Sequence, residues 1–118
     1  MRAKNVLGRP LMPDREQLAD RRGQTTLATH FNGTGYAVSY GVHVDGRLAE
    51  LFISTTKASS DAESIARDAA ILISICLQHG APFEIMRQAV TRDIHGLAAA
   101  SIVGHALDLV AADMERAE

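Results

Sequence analysis

The sequence predicts an α+β fold in which a three-stranded antiparallel meander is followed by three helices packed on one sheet face. Between residues 25 and 53, apolar side chains alternate with small or polar ones, which is the period of a strand. From residue 60 onward, apolar residues recur every three or four positions, which is the period of a helix. Strands that precede the helices, and do not alternate with them, are typical of the α+β class.

Two turn signals divide the strand region into three strands. Asn32-Gly33 turns residues 25–31 back on residues 36–44, through a loop of either two or four residues. Asp45-Gly46 predicts a two-residue type I′ turn, which pairs Val44 with Arg47 and Val42 with Ala49. These registers place the apolar residues of all three strands on one face, the inner face.

The opposite, outer face of the sheet is predicted to be mixed in character. Its residues are Ala28, His30, Ala37, Ser39, Gly41, His43, Leu48, Glu50 and Phe52. A partly apolar second face is a place where a partner, including a second copy of the chain, can dock. The equally weighted alternative is that the N-terminal arm folds over this face.

Residues 60–79 predict one long central helix around which the rest of the chain is organised. Ser60 and Glu63 have the spacing of a capping box, and Gly80 can end the helix in the left-handed conformation. From residue 69 to residue 77 only Ser74 is polar, so this half is predicted to be buried on nearly all sides. Cys76, the single cysteine, is therefore predicted to be buried and chemically inert.

Two further helices and a loop complete the predicted domain. Pro82 can begin a helix that runs to about residue 91, and residues 92–100, which include Gly96, predict a loop. Ser101 can cap a last helix. The apolar face predicted for that helix consists of Val103, Ala106, Leu107, Val110 and Met114.

Residues 1–24 predict an extended basic arm that precedes a single domain at residues 25–118. The arm has two of the three prolines, Pro10 and Pro13, and six basic residues interleaved with three acidic ones. No aromatic residue stands among them to stack on bases, so a solvated arm is favoured over one that binds nucleic acid. The sequence has no apolar run long enough to span a membrane and no signal-peptide core, which predicts a cytoplasmic protein.

The motifs of common active sites and cofactor sites are missing from the sequence. The five histidines have no metal-ligand spacing, there is no G-x-S-x-G, and Gly33 with Gly35 suits a turn better than a phosphate loop. We therefore predict no metal, no cofactor and no catalytic residue. Arg67 and Asp68, halfway along the central helix, are candidate functional residues, although a solvated or structural ion pair is the commoner explanation.

Four stretches of the sequence resemble the TSCPD domain, which occurs near the C-terminus of adenosylcobalamin-dependent (class II) ribonucleotide reductases and in short stand-alone proteins. They are R-P-L-M-P-D-R at 9–15, D-G-R-L-A-E at 45–50, S-S-D-A-E-S-I-A-R-D-A-A at 59–70 and L-Q-H-G-A-P at 77–82. The resemblance extends from about residue 9 to residue 110 and implies a small sheet with helices. It also implies a connection with the reductases that serve DNA synthesis.

The chain lacks what those reductases use for catalysis. The cysteines around this module and the barrel domain with its radical and redox cysteines are absent, and one cysteine cannot supply both a thiyl radical and a pair of reducing thiols. The favoured hypothesis is a non-catalytic accessory or regulatory module that binds a reductase, another protein or a nucleotide. Two alternatives are a reductase component with catalysis on another chain and a nucleic-acid-binding protein that uses the arm.

We also predict a homodimer, because so short a chain cannot easily enclose a helix that is apolar on every side. Two surfaces are candidates for the interface, the outer sheet face and the central helix near Ile71 and Ile75. The candidate interaction residues, taken together, are His43, Leu48, Phe52, Arg67, Asp68, Ile71 and Ile75.

Overall fold

The computed structural model describes residues 14–18, 23–55 and 60–117. Residues 1–13 and 19–22 of the predicted arm lie outside the described residues, as do residues 56–59 and residue 118. The elements in chain order are β1 (Gln24–Phe31), β2 (Thr34–Val42), β3 (Leu48–Ser54), α1 (Asp61–Gln78), α2 (Phe83–Ala89) and α3 (Ile102–Arg116). The predicted α+β order of three strands followed by three helices is confirmed.

The three strands form one antiparallel sheet in the order β1-β2-β3. In the first hairpin Phe31 lies opposite Thr34, so the loop consists of Asn32 and Gly33 alone. Both loop residues have positive φ, 49° and 79°, as a type I′ turn requires. The predicted Asn-Gly turn is confirmed in its two-residue form.

The second hairpin has a three-residue loop, so its predicted type I′ turn is wrong. The His43 amide donates to the Arg47 carbonyl (2.8 Å), and the Gly46 amide donates to the His43 carbonyl (2.9 Å). Of the loop residues 44–46, Gly46 alone has positive φ, at 92°. This is the pattern of a type I turn followed by a left-handed glycine.

A β-bulge beside this loop changes which side chains reach the core. Tyr40 lies opposite Leu51 as predicted, but Val42 lies opposite Leu48 and not Ala49. The extra residue in β3 compensates for the longer loop. It turns Leu48 into the hydrophobic core, where it is buried. The predicted position of Leu48 on the outer face is therefore wrong.

The core lies between the inner face of the sheet and the helices. Large side chains from β2 and β3 meet small or branched ones from α1 and α3. Its most deeply buried members are Val38, Leu51, Ala66, Ala70, Ala106, Leu107 and Val110. The predicted inner face of the sheet is thus the face that the helices cover.

The ends of α1 follow the predicted signals. The Ser60 hydroxyl accepts a hydrogen bond from the Glu63 amide (3.1 Å) at the first turn. At the other end Gly80 has a φ of 93°, and the amides of Gly80 and Ala81 each donate to a carbonyl of the last turn at 3.0 Å. In the same way, the Ser101 hydroxyl caps α3 by accepting from the Gly104 amide (3.2 Å).

A charged network joins α2 and the following loop to α3. The Asp108 carboxylate accepts from Arg92 at 2.5 and 2.8 Å and from Arg87 at 2.9 Å. The hydrogen bonds from Arg92 and Arg87 hold the pKa of Asp108 below its usual value, although burial opposes this. α2, shorter than predicted at its C-terminal end, is thus attached to the domain by charges as well as by apolar contacts.

Candidate functional site

The position of α1 is set by polar contacts with the outer edge of β3. The Ser74 hydroxyl accepts from the Leu51 amide (2.8 Å) and shares its proton between the carbonyls of Leu51 (3.0 Å) and Ala70 (2.9 Å). Gln78 donates from Nε2 to the Ala49 carbonyl (3.1 Å). Two polar side chains of the helix therefore satisfy backbone groups of β3, which is an edge strand of the sheet that the described residues form.

Small residues allow α1 to lie this close to the strand. Ala66, Ala70 and Ser74 recur every four residues on the buried side of the helix. Because α1 meets the sheet at its edge, the helix is covered on that side, while its opposite side faces outward. The prediction that its C-terminal half is buried on nearly all sides is therefore wrong.

The outward side of α1 carries an exposed apolar surface, which we call the α1 outer surface. It consists of Ile65, Ile71, Leu72, Ile75 and Cys76. Ile65 is 67% exposed, Leu72 63% and Ile71 46%, and Ile75 is half-buried. Exposed apolar side chains grouped in this way make the α1 outer surface a candidate docking surface.

Cys76 belongs to this surface and is exposed. The prediction of a buried Cys76 is wrong for the same reason as that of a buried helix. Cys76 follows Leu72 by four residues, so the two side chains lie on the same outward side. We now expect the native protein to react readily with thiol reagents.

Phe52 lies beside this surface. It is 43% exposed on the outer face of the sheet and directly follows Leu51, which contacts Ser74 of α1. Ile71 and Ile75 flank Ser74 on the side of α1 turned away from the core, which is also the side of the outer sheet face. Phe52 and the α1 outer surface, which belong to the two interfaces that the sequence offered as alternatives, thus lie on two elements in direct contact, β3 and α1.

The other predicted interaction residues are placed differently. His43 and Leu48 are buried, so neither adds exposed surface for a partner. Arg67 pairs with the buried carboxylate of Glu63 one turn earlier. The Glu63 carboxylate is thus used for an ion pair, whereas the predicted capping box requires it to accept from the Ser60 amide. Asp68 is exposed on α1. Arg67 therefore has a structural ion pair, while Asp68 adds a negative charge near the α1 outer surface.

A groove of about 420 Å³ opens beside the second hairpin, on the core side of α1. Its lining residues are Arg47, Leu48, Leu77, Gly80, Ala81, Pro82, Phe83 and Met114. Arg47 is the cationic side chain among them, and it already pairs with Asp45 (2.7 Å) and Glu16 (3.1 Å). Among the described residues that line it, the groove therefore offers apolar contacts and no unpaired cation for the phosphates of a nucleotide.

The segment at residues 14–18 lies near the same end of α1. The Glu16 amide donates to the Gln78 carbonyl (2.7 Å), and Arg15 Nε donates to Gln78 Oε1 (2.5 Å). The Glu16 carboxylate lies 3.7 Å from His43 Nδ1. This part of the predicted arm is therefore ordered against the domain, and it contacts the β3 side of the sheet.

Sequence reasoning missed Ile65, Leu72 and Cys76 as surface residues. The signal was present in the spacing of Ala66, Ala70 and Ser74, since a stripe of small residues marks the side of a helix that approaches another element closely.

Among the described residues no three histidine, cysteine, aspartate or glutamate side chains come together as metal ligands. Within the same residues, no helix is long and apolar enough to cross a bilayer.

The chain is similar to segments of two curated proteins, both described as vitamin B12-dependent ribonucleotide reductases. The protein from Bradyrhizobium diazoefficiens is 34% identical over 74 residues, and the one from Rhodopirellula baltica is 32% identical over 74 residues. These segments cover 63% of this chain but 6% and 7% of the relatives. No protein-family model and no solved structure matches the chain. The similarity supports a module related to B12-dependent ribonucleotide reductases.

Proposed function

We propose that this chain is an accessory or regulatory module, without catalysis of its own, that binds a B12-dependent ribonucleotide reductase in the cytoplasm. The observation that carries the proposal is the α1 outer surface. Its apolar residues lie on a helix whose other side is fixed to β3, so the surface is presented rigidly. A rigid apolar surface loses little conformational entropy when it binds a partner.

Two further observations support a protein partner of this kind. Both curated relatives are B12-dependent reductases, although the chain corresponds to a small part of each. In the described part of its lining, the groove beside the second hairpin has Arg47 as its cation, and Arg47 is already paired, which favours a protein over a nucleotide as the ligand. The TSCPD resemblance fits the same proposal, because that domain accompanies the catalytic domains of such reductases.

A second candidate is a reductase component that is required for catalysis on another chain. The two relatives favour it as well, because each carries the similar segment within a reductase. The two proposals differ in what happens to the reductase when the module is absent. A regulated reductase retains a basal rate of ribonucleotide reduction, whereas one that lacks a required component has none.

Binding to the purified B12-dependent reductase of the same organism tests the proposal. We expect Leu72→Glu to weaken binding by about tenfold or more, because it places a charge at the centre of the apolar surface. Ile85→Glu is the matched control, since Ile85 is 64% exposed on α2 and Leu72 is 63% exposed on α1. Cys76 should be protected from a thiol reagent when the reductase is bound.

Equal affinities for the Leu72 and Ile85 variants would reject the α1 outer surface as the binding site. Failure of the wild-type chain to bind the reductase or to change its rate would reject the proposed function. The homodimer stays part of the proposal, and Phe52 with the α1 outer surface stays one candidate for its interface.

A further inference from the structure

We propose that two copies of this chain associate through the outer edge of β1, which joins their sheets into one six-stranded antiparallel sheet. This inference does not depend on the proposed accessory role, since a dimer can form whether or not a reductase binds. It concerns the side of the sheet opposite to α1.

The contacts of β3 determine which residues of β1 point outward. The Leu51 amide and carbonyl both contact Ser74, so they point away from β2. In an antiparallel pair of strands, a residue whose amide and carbonyl point away from the neighbouring strand lies opposite a residue whose amide and carbonyl also point away from the first strand. Tyr40, the partner of Leu51, therefore directs its backbone groups toward β1, where it pairs with Thr25.

Along β1, residues that bond to β2 therefore alternate with residues whose backbone groups point to the outer edge. Thr25, Leu27, Thr29 and Phe31 bond to β2, whereas Gln24, Thr26, Ala28 and His30 point their amides and carbonyls to the outer edge. The first hairpin gives the same result, because a two-residue loop is closed by a hydrogen-bonded pair, here Phe31 and Thr34. In the described part of the chain, no other backbone group bonds to the outward-pointing groups.

β1 has none of the features that normally keep an edge strand from pairing. Its sequence QTTLATHF contains no charged residue, proline or glycine, and its register with β2 is continuous from end to end. Natural proteins protect exposed edges with charges, prolines, bulges or a covering element. Among the described residues none of these protects the eight residues of β1, which favours a strand that pairs with another strand.

A second copy of β1 fits this edge. When β1 pairs with itself antiparallel, no like charges meet, because the strand has none. The backbone groups match in any register that places even-numbered residues opposite even-numbered ones, such as Ala28 opposite Ala28 of the second copy. Such a register also brings the inner faces of both copies to the same side, so that one two-fold axis relates them.

Leu27 and Phe31 belong to β1 itself and are only partly buried, so a second copy would also bury apolar area. Leu27, Phe31 and Leu109 are half-buried at the margin of the core. His105 covers part of this margin, with its ring 5.4 Å from that of Phe31 and its Nε2 2.7 Å from the Thr29 hydroxyl. Strand pairing with this limited apolar contact gives an interface at the small end of the range for stable dimers. We therefore expect a dimer that dissociates on dilution.

The described segment that precedes β1 does not cover the edge. Glu16 in residues 14–18 contacts Gln78 and Arg47, which lie on the β3 side of the sheet. A strand supplied by residues 14–18 is therefore excluded. Coverage of the edge by the chain's own residues 1–13 is an outcome that the experiment distinguishes from a dimer.

Hydrogen exchange of the wild-type chain, measured together with its mass by light scattering, tests the proposal. At high concentration we expect the mass of two chains, and amides of Thr26, Ala28 and His30 that are protected like those of Leu27 and Thr29. On dilution to the single-chain mass, the first three should exchange rapidly while the other two stay protected. Protection of all five amides in a monomer would overturn the proposal, because the chain would then cover its own edge.

A pair of variants at one position separates the edge from the rest of the fold. Ala28→Pro removes an amide that points outward and leaves the bonds between β1 and β2 in place, so it should give a folded monomer. Ala28→Val keeps that amide and should remain a dimer. A single-chain mass for the wild type at all concentrations would reject the dimer. A dimer that persists in Ala28→Pro, or that is dissociated by Leu72→Glu, would reject this interface.

Discussion

The two edges of the sheet differ in whether their outward-pointing backbone groups have hydrogen-bond partners within the chain. At the β3 edge, the Leu51 amide and carbonyl are satisfied by Ser74, and the Ala49 carbonyl is satisfied by Gln78. At the β1 edge, the outward-pointing backbone groups have no backbone partner among the described residues. The difference arises because α1 follows β3 closely along the chain and has small residues on one side.

Because of this difference, we expect the two edges to affect different properties, one the stability of the folded chain and the other its association. A buried backbone group that loses its partner costs free energy in the folded chain, whereas an exposed group at an open edge is solvated by water. The covered edge should therefore control unfolding, and the open edge should control the association of two copies of the chain.

Ser74→Ala should lower the free energy of unfolding by about 2–4 kcal/mol, because it leaves the buried Leu51 amide and carbonyl without a partner. Chemical denaturation followed by circular dichroism measures this value. Ser64→Ala, on the exposed side of the same helix, is the control and should change stability by less than about 0.5 kcal/mol. Equal stabilities of the two variants would show that Ser74 does not hold α1 to the edge.

Asp108→Asn should lower the free energy of unfolding by about 1–2 kcal/mol at neutral pH, because it weakens the partly exposed network with Arg87 and Arg92. The pKa of Asp108 is lowered in the folded state from its usual 3.8. Its stabilising contribution is therefore present above that pH and is lost as the pH falls through the folded-state value. Melting temperatures at neutral and acidic pH measure the change.

The Ser74→Ala variant serves as the comparison in that experiment. The bonds at the β3 edge involve no titrating group, so its melting temperature should differ from that of the wild type by a similar amount at both pH values. If the difference for Asp108→Asn also stays constant as the pH falls, the carboxylate is not the source of its effect.

The sequence predicted the elements well because local signals decide them. Alternation defined the strands, and Ser60, Gly80 and Ser101 marked the ends of helices that the structure confirms. The inner face of β2 was correct from Tyr36 to Val42, but Val44, which was predicted to continue it, is fully exposed in the loop. These features depend on residues that are close together along the chain.

The exposed apolar surface of α1 was predicted only in part, because it depends on how the elements are placed. Ile71 was named as a candidate interaction residue, and it is exposed. Leu72 and Cys76 were expected to be buried, since an apolar helix was assumed to lie over the sheet and not at its edge. Leu48 was assigned to the wrong face because Asp45-Gly46 allows both a two-residue and a three-residue loop. A shift of one residue reverses the side to which a strand residue points.

Gly46→Val should cost about 1–2 kcal/mol, because Gly46 has a φ of 92°, which a β-branched residue rarely adopts. Gly23→Val is the control, since a side chain there meets no atom within 4 Å and needs no positive φ. The hydrogen bonds between Ser74 and the Leu51 backbone should keep β3 in register even though the loop is strained in Gly46→Val. Slow exchange of the Leu51 amide in the variant tests this, and its loss would show that the loop sets the register.

Thr29→Val should have the smallest effect, about 0.5–1 kcal/mol, because it removes one partly exposed hydrogen bond to His105 and keeps the shape of the side chain. Thr29→Ser retains the hydroxyl and should recover most of this loss in a denaturation experiment. Because the Thr29 amide bonds to β2 and not to the outer edge, neither variant should change the mass measured by light scattering. A Thr29→Val chain that becomes monomeric while its stability is unchanged would mean that the inner face of β1, and not its backbone edge, controls association.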